Sequence, residues 1–240
     1  MSVGVILPAF NEAERIGTVL EAIPHEVLGH RLLVVVVHDG SDVGTSAVAR
    51  GCGVDVLEQP VNMGKGCALR AGMDELRRIG VDAVVWMDSD GQHRPEDLPQ
   101  LVGPVLEAQT DMVVGSRYLV ACASKAPMNR RLVRKATIVA IHRLTGARIT
   151  DPFSGFRCFS PRAADAIQLK GDCYESELEA TLSILRAGFT SVEVPIPRVY
   201  GPCTSKMGHG GAIRGRLRVI RGYARTLAAA ATAEREPVHG

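Results

Sequence analysis

Short apolar runs alternate with longer amphipathic segments along the first half of the chain. The apolar runs predict five strands, at Val3–Leu7, Leu32–Val37, Val54–Glu58, Ala83–Met87 and Asp111–Val114. The amphipathic segments predict four helices, at Glu12–Ile23, Thr45–Cys52, Gly64–Ile79 and Pro95–Ala108. Strands that are apolar throughout and alternate with helices are typical of a mostly parallel sheet with helices on both faces. The pattern therefore predicts an α/β fold.

The pattern is less regular beyond Arg117. Four further helices are predicted, at Arg130–Leu144, Pro161–Gln168, Ser176–Arg186 and Ala212–Ala231. A loop and strand over Asp151–Phe159 and a strand at Ser191–Val194 lie between them. We expect one domain over residues 1–211, followed by a basic C-terminal helix and a frayed tail over residues 212–240.

The composition suits a folded domain, since 46% of the 240 residues are hydrophobic and the formal net charge is only +2. The basic residues are unevenly spread, however. Residues 129–148 and residues 206–225 each contain six Lys or Arg and no acid, which leaves 16 basic and 26 acidic residues elsewhere. Two such patches on an acidic body suggest anionic partners. A solvated helix face explains either patch equally well.

No apolar run approaches the roughly 20 residues that span a bilayer, and no signal-peptide pattern begins the chain. The six cysteines lack the spacing of a metal site or of a disulfide framework. We therefore expect a cytoplasmic protein, at most peripheral at the inner face of the membrane, with no nucleic-acid partner.

Polar, charged and glycine-containing stretches directly follow the predicted strands or open the next helix. These stretches are Pro8–Glu12, His38–Asp42, Asn62–Gly66, Asp88–His93 and Gly115–Arg117. Ligands of open parallel sheets bind beyond the carboxyl ends of the strands. A capped turn explains any one stretch, but five at the same edge favour a binding site.

The sharpest of these stretches contains Asp88, Asp90 and Gln92. Carboxylates at positions i and i+2 can project in the same direction, and hard oxygen ligands suit Mg²⁺ or Mn²⁺ shared with a diphosphate. An aspartate-rich capped turn is the alternative. The chain has neither GxGxxG after its first strand nor a P-loop, so phosphate charge must be met by the metal and by Arg or Lys.

Together these stretches resemble the family 2 glycosyltransferases of the GT-A fold. The matching motifs are Pro8-x-Phe10-Asn11-Glu12, Asp39-Gly40-Ser41, Asn62-x-Gly64-Lys65-Gly66, Asp88-x-Asp90-Gly91-Gln92-His93 and Gly115-Ser116-Arg117. Later motifs resemble the dolichyl-phosphate mannose synthase branch, namely Asp151-Pro152-Phe153-Ser154-Gly155-Phe156-Arg157, Glu175-x-Glu177, Arg198-x-Tyr200-Gly201 and Ser205-Lys206-Met207. The resemblance covers about residues 3–210.

The resemblance implies a nucleotide-sugar half over residues 1–117 and an acceptor half over residues 118–211. It implies nucleotide-sugar contacts from Pro8, Phe10, Glu12, Val37, Asp39, Met87, Asp88, Ser89, Arg117, Arg198 and Lys206. It also implies Mg²⁺ or Mn²⁺ at Asp88, Asp90 and Gln92. Arg117 is the expected catalytic cation. Asp151, with Glu175 or Glu177 behind it, is a candidate general base only if the acceptor is not a phosphate.

The activity implied is metal-dependent, inverting transfer of a sugar from a GDP- or UDP-sugar to a polyprenyl or dolichyl phosphate. Two departures from the family pattern keep alternatives open. His38 stands where the family commonly has an acid, which suggests a nucleotide-sugar binding protein without turnover. The loop Gly201–Lys206 is two residues longer than usual, which favours a soluble glycosyltransferase with a small-molecule or natural-product acceptor.

Overall fold

The computed structural model describes residues 1–40, 43–119, 128–170, 175–197 and 212–232. Its strands are β1 (Ser2–Ala9), β2 (Glu26–Val27), β3 (His30–Asp39), β4 (Asp55–Gln59), β5 (Ala83–Trp86), β6 (Met112–Ser116), β7 (Arg157–Phe159) and β8 (Ser191–Pro195). Its helices are α1 (Ile16–Ala22), α2 (Val43–Gly51), α3 (Lys65–Ile79), α4 (Leu98–Leu106), α5 (Met128–Thr145), α6 (Pro161–Asp165), α7 (Ser176–Arg186) and α8 (Ala212–Thr232).

The described strands form one sheet in the order β2, β3, β1, β5, β7, β6, β8, and β4 also pairs with β3. β3 is parallel to β1 and β4, and β1 is parallel to β5. β7 is antiparallel to both of its neighbours, β5 and β6, and β8 is parallel to β6. β6 and β8 therefore run in the same direction as β1. The predicted α/β fold with a mostly parallel sheet is confirmed.

Helices cover both faces of the sheet, which explains why the strands are apolar throughout. Alternate residues of a strand point to opposite faces. Thus Val5 and Leu7 of β1 pack in a cluster that includes Leu101 of α4. Ile6 packs in a second cluster that includes Leu69 of α3. Residues of α1 and α2 join the first cluster, and residues of α6 and α7 join the second.

The C-terminal helix packs on the rest of the chain through a third apolar cluster. Ile141 of α5 and Leu178 of α7 are buried there, with Tyr223 and Leu227 of α8 against them. Helix α8 therefore shares a core with α5 and α7. The separation of residues 212–240 from the domain over residues 1–211 stays a prediction. None of the helices in the described parts of the chain combines the length and the hydropathy that a bilayer-spanning segment needs.

Two predicted helices begin later in the structure. Helix α1 starts at Ile16 rather than Glu12, because the Glu12 carbonyl accepts hydrogen bonds from Arg15 and Ile16 in a turn. Asn11 immediately before this turn has a φ of +54°, in the left-handed region. Before α4, residues Pro95–Asp97 form a 3₁₀ turn. The two-residue strand β2 was not predicted, since so short a run has no periodicity.

Helix α3 approaches β1 closely because glycines stand on both elements. A Cβ atom at Gly72 of α3 would lie 2.5 Å from Cγ2 of Ile6, and one at Gly4 of β1 would meet the side chain of Leu76. Real atoms do not approach so closely, so a side chain at either position would displace the side chain of Ile6 or of Leu76. The contact also fixes where α3 begins relative to the sheet.

We predict that Gly72→Val lowers the free energy of unfolding by about 1–3 kcal/mol, the usual cost of overpacking a core. Equilibrium denaturation in urea measures this change. Gly51→Val is the matched control, since a Cβ at the last residue of α2 has nothing within 4 Å. Equal stability of the two variants would contradict the close contact between α3 and β1.

Candidate functional site

The structure joins the polar segments that follow β1 and β5. The Ser89 hydroxyl donates a hydrogen bond to the Pro8 carbonyl at 2.7 Å. The Glu12 backbone N–H donates to Oγ1 of Thr45 at the start of α2, at 3.1 Å. Because β1 lies between β3 and β5, these contacts fix the Pro8–Glu12 segment in the middle of the carboxyl edge. Phe10 and Glu12 thus stand where the sequence predicts a donor site.

Asp39 organises the loop that leads into α3. Its buried carboxylate accepts hydrogen bonds from the backbone N–H groups of Met63, at 2.7 Å, and Gly64, at 2.9 Å. Gly40 has a φ of +59°, and a Cβ there would collide with the backbone of Val61. These two residues position the start of α3 at the carboxyl edge. A contact of Asp39 with a nucleotide stays a prediction.

Lys65, the first residue of α3, lies between two carboxylates. Its Nζ is 2.5 Å from Oδ1 of Asp88 and 2.6 Å from Oε1 of Glu177, which stands in the first turn of α7. Burial alone would lower the pKa of Lys65, but the two carboxylates outweigh burial and raise this pKa. Burial would raise the pKa of Asp88, and Lys65 reverses that effect, so the pKa lies below its ordinary value.

Asp90, in the turn after β5, has less stabilisation of its negative charge than Asp88. Its Oδ1 accepts a hydrogen bond from the backbone N–H of Gln92 at 3.0 Å. Burial and the negative charge of Asp88 nevertheless raise the pKa of Asp90, and the charge of Glu12 adds to this effect. A carboxylate destabilised by neighbouring carboxylates is a place where an added cation is favourable.

His93 is a neutral ring that contacts the backbone of this turn. The Asp88 backbone N–H donates to Nδ1 of His93 at 3.0 Å, and the ring stacks on Phe156 with centroids 4.9 Å apart. Burial lowers the pKa of His93 to about 4. The imidazole is therefore neutral at pH 7, and because Nδ1 accepts, its proton lies on Nε2.

The oxygen donors of this turn fit a small divalent cation. Asp88, Asp90 and Gln92 supply carboxylate and amide oxygens, which Mg²⁺ and Mn²⁺ prefer. Within the described ranges, no three or more His, Cys, Asp or Glu side chains form a complete metal site. Mg²⁺ commonly binds through one or two carboxylates and takes its remaining ligands from water and substrate phosphates. Burial and the charges of Asp88 and Glu12 raise the pKa of Asp90, and a bound cation would offset that repulsion.

Arg117, just after β6, forms a bidentate ion pair with Asp151. Nε of Arg117 is 2.7 Å from Oδ2 and its terminal nitrogen is 3.0 Å from Oδ1. Asp151 is fully buried, and its backbone N–H donates to Glu193 at 3.0 Å. Burial would lower the pKa of Arg117, but Asp151 raises it. Both oxygens of the candidate base are thus engaged by a cation, and its role as a base stays a prediction.

Arg157 holds the loop between Asp151 and β7. This fully buried guanidinium donates to the carbonyls of Pro152 and Ser154, at 2.9 and 2.7 Å, and to Oγ1 of Thr181, at 2.7 Å. Burial lowers the pKa of Arg157 to about 10, so it remains charged at pH 7. The loop reaches the donor side of the edge, because a Cβ at Gly155 would lie 2.6 Å from Oδ2 of Asp88.

Other predicted residues lie in different surroundings. Val37 and Met87 are fully buried among the core clusters, so their contact with a nucleotide stays a prediction. His38 is buried beside Asp39. Phe153 stacks on Tyr223 of α8, with centroids 4.7 Å apart. The predicted phosphate-binding residues Arg198 and Lys206 and the loop Gly201–Lys206 lie outside the described residues.

Sequence reasoning did not include Lys65 or Arg157 among the site residues, although both stand in the motifs that carry the family resemblance. Glu177 was considered only as a residue behind the candidate base. The partners of Lys65 are 23 and 112 residues away along the chain. No local pattern marks such a pairing, so the motif Asn62-x-Gly64-Lys65-Gly66 was the only available indication.

A family model described as Glycosyl transferase family 2 matches residues 4–165. The chain belongs to this family. It is 34% identical over 204 residues to a polyprenol monophosphomannose synthase of Mycolicibacterium smegmatis, covering 80% of this chain and 75% of the relative. It is 30% identical over 226 residues to an undecaprenyl-phosphate mannosyltransferase of Micrococcus luteus, covering 89% and 90% of the two chains. The protein is therefore a glycosyltransferase.

Solved structures of GT-A glycosyltransferases share the fold. Glucosyl-3-phosphoglycerate synthase from Mycobacterium tuberculosis, in complex with phosphoglyceric acid, matches with a TM-score of 0.75 and 24% identity, over 95% of this chain and 79% of that chain. The same enzyme with Mn²⁺ and UDP-glucose matches with a TM-score of 0.74, 24% identity, and coverage of 95% and 78%. The expected GT-A fold is confirmed.

We predict that Asp39→Ala destabilises the protein by about 2 kcal/mol or more in the absence of any ligand, because it leaves two partly buried N–H groups without their charged acceptor. Urea denaturation measures the change. Asp55→Ala, at an exposed position of the neighbouring strand β4, is the matched control. A variant as stable as this control would mean that Asp39 serves only a ligand.

Proposed function

We propose that this glycosyltransferase moves a sugar from a GDP- or UDP-sugar to a polyprenyl or dolichyl phosphate, with Mg²⁺ or Mn²⁺ as cofactor. The observation that carries the proposal is the placement of Asp88, Asp90 and Gln92 at one carboxyl edge with Arg117 on the neighbouring part of it. Relatives named as polyprenol monophosphomannose synthase and undecaprenyl-phosphate mannosyltransferase support the lipid phosphate acceptor over a small-molecule acceptor.

The donor would bind along the edge formed by β3, β1 and β5. Pro8, Phe10 and Glu12 would line the nucleotide together with Val37, Asp39, Met87 and Ser89. Asp88, Asp90 and Gln92 would hold the divalent cation, which supplies charge to stabilise the departing nucleoside diphosphate when bound. Lys65 keeps the Asp88 carboxylate ionised for that role.

The transfer itself is a direct displacement that inverts the anomeric carbon. A phosphate oxygen of the acceptor forms the new bond to that carbon, and the bond to the diphosphate oxygen breaks with its electron pair leaving on the nucleoside diphosphate. Arg117 would stabilise phosphate charge, and its guanidinium is held in one orientation by two hydrogen bonds to Asp151. Arg198 and Lys206 would add further positive charge.

The state of Asp151 favours a phosphate as the nucleophile. A phosphate monoester is already ionised at neutral pH, whereas a hydroxyl or amine acceptor needs a base within hydrogen-bond reach. Asp151 is fully buried and both of its carboxylate oxygens bind Arg117. It therefore suits the positioning of Arg117 better than proton abstraction. Glu177 is likewise engaged, by Lys65.

We propose that helix α5 supplies the contact with the membrane that holds the lipid acceptor. Its exposed side carries Met128, Leu132 and Val139, which are 82, 69 and 47% exposed. Exposed cationic side chains lie among them, at Arg131, Lys135 and Arg143. The other side of α5 faces the site, since Arg134 lies 3.7 Å from the centroid of the Tyr118 ring and donates to the Thr150 carbonyl. Apolar and basic side chains on one face are typical of helices that bind anionic membrane surfaces.

We predict that Asp90→Ala reduces sugar transfer roughly 100-fold or more, because the developing diphosphate charge would lose its cation. Transfer to a short-chain polyprenyl phosphate, with GDP- and UDP-sugars compared in the presence of Mn²⁺, measures the loss. Asp74→Ala, which changes an exposed aspartate of α3, is the control and should leave transfer unchanged. Undiminished transfer in Asp90→Ala would refute the proposed metal site.

We also predict that the protein sediments with vesicles containing anionic lipid and that sedimentation weakens as salt is raised, since surface charges are screened. A triple variant with Arg131, Lys135 and Arg143 changed to Glu should sediment markedly less. A variant with Arg50, Arg77 and Arg94, which are exposed elsewhere, changed to Glu tests whether net charge alone decides. Equal loss in both triple variants would argue against α5 as the contact.

A further inference from the structure

We propose that Lys65 is a resident cation that occupies an oxygen of Asp88 until a divalent metal arrives, and that Glu177 retains the displaced ammonium group in the site. This inference rests on the metal dependence proposed above. It assigns a second function, beyond keeping Asp88 ionised, to the contact of Lys65 with Asp88 and Glu177.

The contact between Lys65 and Asp88 is direct. The Lys65 ammonium group lies 2.5 Å from Oδ1 of Asp88. A divalent cation that binds the same carboxylate oxygen would meet a positive charge at contact distance, and two like charges so close repel strongly in a partly buried site. Metal binding at Asp88 therefore requires that Lys65 moves away from Oδ1.

The second carboxylate oxygen of Asp88, Oδ2, also lies close to other groups of the chain, so a metal cannot easily bind there instead. Oδ2 lies beside the backbone of Gly155, where a Cβ atom would be only 2.6 Å away, and 3.7 Å from Nε2 of His93. Both oxygens of Asp88 thus have neighbours before any metal is added. Competition with Lys65 is the expected consequence for any cation that uses this carboxylate.

Glu177 gives the displaced ammonium group a place to remain. Its Oε1 lies 2.6 Å from Nζ of Lys65, its side chain is only 8% exposed, and it belongs to the first turn of α7. Lys65 therefore need not enter solvent or lose its charge partner when it leaves Asp88. A charge retained in this way lowers the cost of the exchange.

The exchange makes metal binding depend on the donor. Without a nucleotide, the cation must displace Lys65 and gains as protein ligands only the carboxylates of Asp88 and Asp90 and the amide of Gln92. With a nucleoside diphosphate present, phosphate oxygens add ligands and negative charge, and the balance shifts towards the metal. We therefore expect weak binding of Mn²⁺ alone and much tighter binding together with UDP or GDP.

The decisive experiment compares Mn²⁺ binding, measured by electron paramagnetic resonance without nucleotide, in wild type and in the double variant Lys65→Met/Glu177→Gln. The double variant removes one positive and one negative charge, so the net charge of the site is unchanged. Displacement predicts that it binds Mn²⁺ about tenfold more tightly or better, because Asp88 no longer has a competing cation. Equal or weaker binding would overturn the inference.

Arg78→Met/Glu75→Gln is the matched control. This pair lies exposed on the same helix, its charge change is identical, and its Mn²⁺ affinity should equal that of wild type. Should the double variant at Lys65 fail to fold, titration of wild type with Mg²⁺ and UDP or GDP, followed through the side-chain nitrogen resonance of Lys65, gives the same answer. A shift of that resonance at saturation supports displacement, and an unshifted resonance contradicts it.

The Mn²⁺ binding measurement, made with and without UDP or GDP, separates the displacement of Lys65 from the metal dependence on which it rests. Wild type that binds no Mn²⁺ even with UDP or GDP would refute the metal dependence itself. Wild type that binds Mn²⁺ with nucleotide, beside a double variant that binds Mn²⁺ alone no better than wild type, would refute only the displacement of Lys65.

Discussion

Charge pairing between distant segments determines the geometry of the carboxyl edge. Lys65 connects α3, the turn after β5 and α7 through Asp88 and Glu177, and Arg117 connects β6 to Asp151. Breaking a partly buried pair leaves a charge without a partner, which costs several kcal/mol. These segments therefore cannot separate without a large penalty. The edge keeps its shape through ion pairs made within the chain.

The charges along this edge differ from one end to the other. Near β1 and β5, burial and the negative charges of Asp88 and Glu12 raise the pKa of Asp90. Towards β6, Arg117 stands beside the buried Asp151 and Arg157 lies beneath the loop. The proposed transfer would place a cation in the first region and phosphate groups of donor and acceptor in the second.

The sequence predicted the fold where burial leaves a pattern and failed where pairing is nonlocal. The run Leu32–Val37 is apolar because helices cover both faces of β3, so the sequence predicted this strand. The antiparallel direction of β7 could not be predicted, since the sequence of a three-residue strand does not indicate which way the strand runs. Asp88 and Asp90 were predicted as site residues because they are close in sequence, and their role stays a prediction. The pairing of Lys65 with Glu177 and the role of Arg157 depend on contacts that only the folded chain brings together.

The position of β7 limits how the two halves of the molecule can move. This strand is hydrogen-bonded to β5 on one side and to β6 on the other, so both halves share one continuous sheet. A hinge rotation of one half against the other would break backbone ladders on both sides. Rotation of one part of the sheet against the other as a rigid lobe is therefore disfavoured in this architecture.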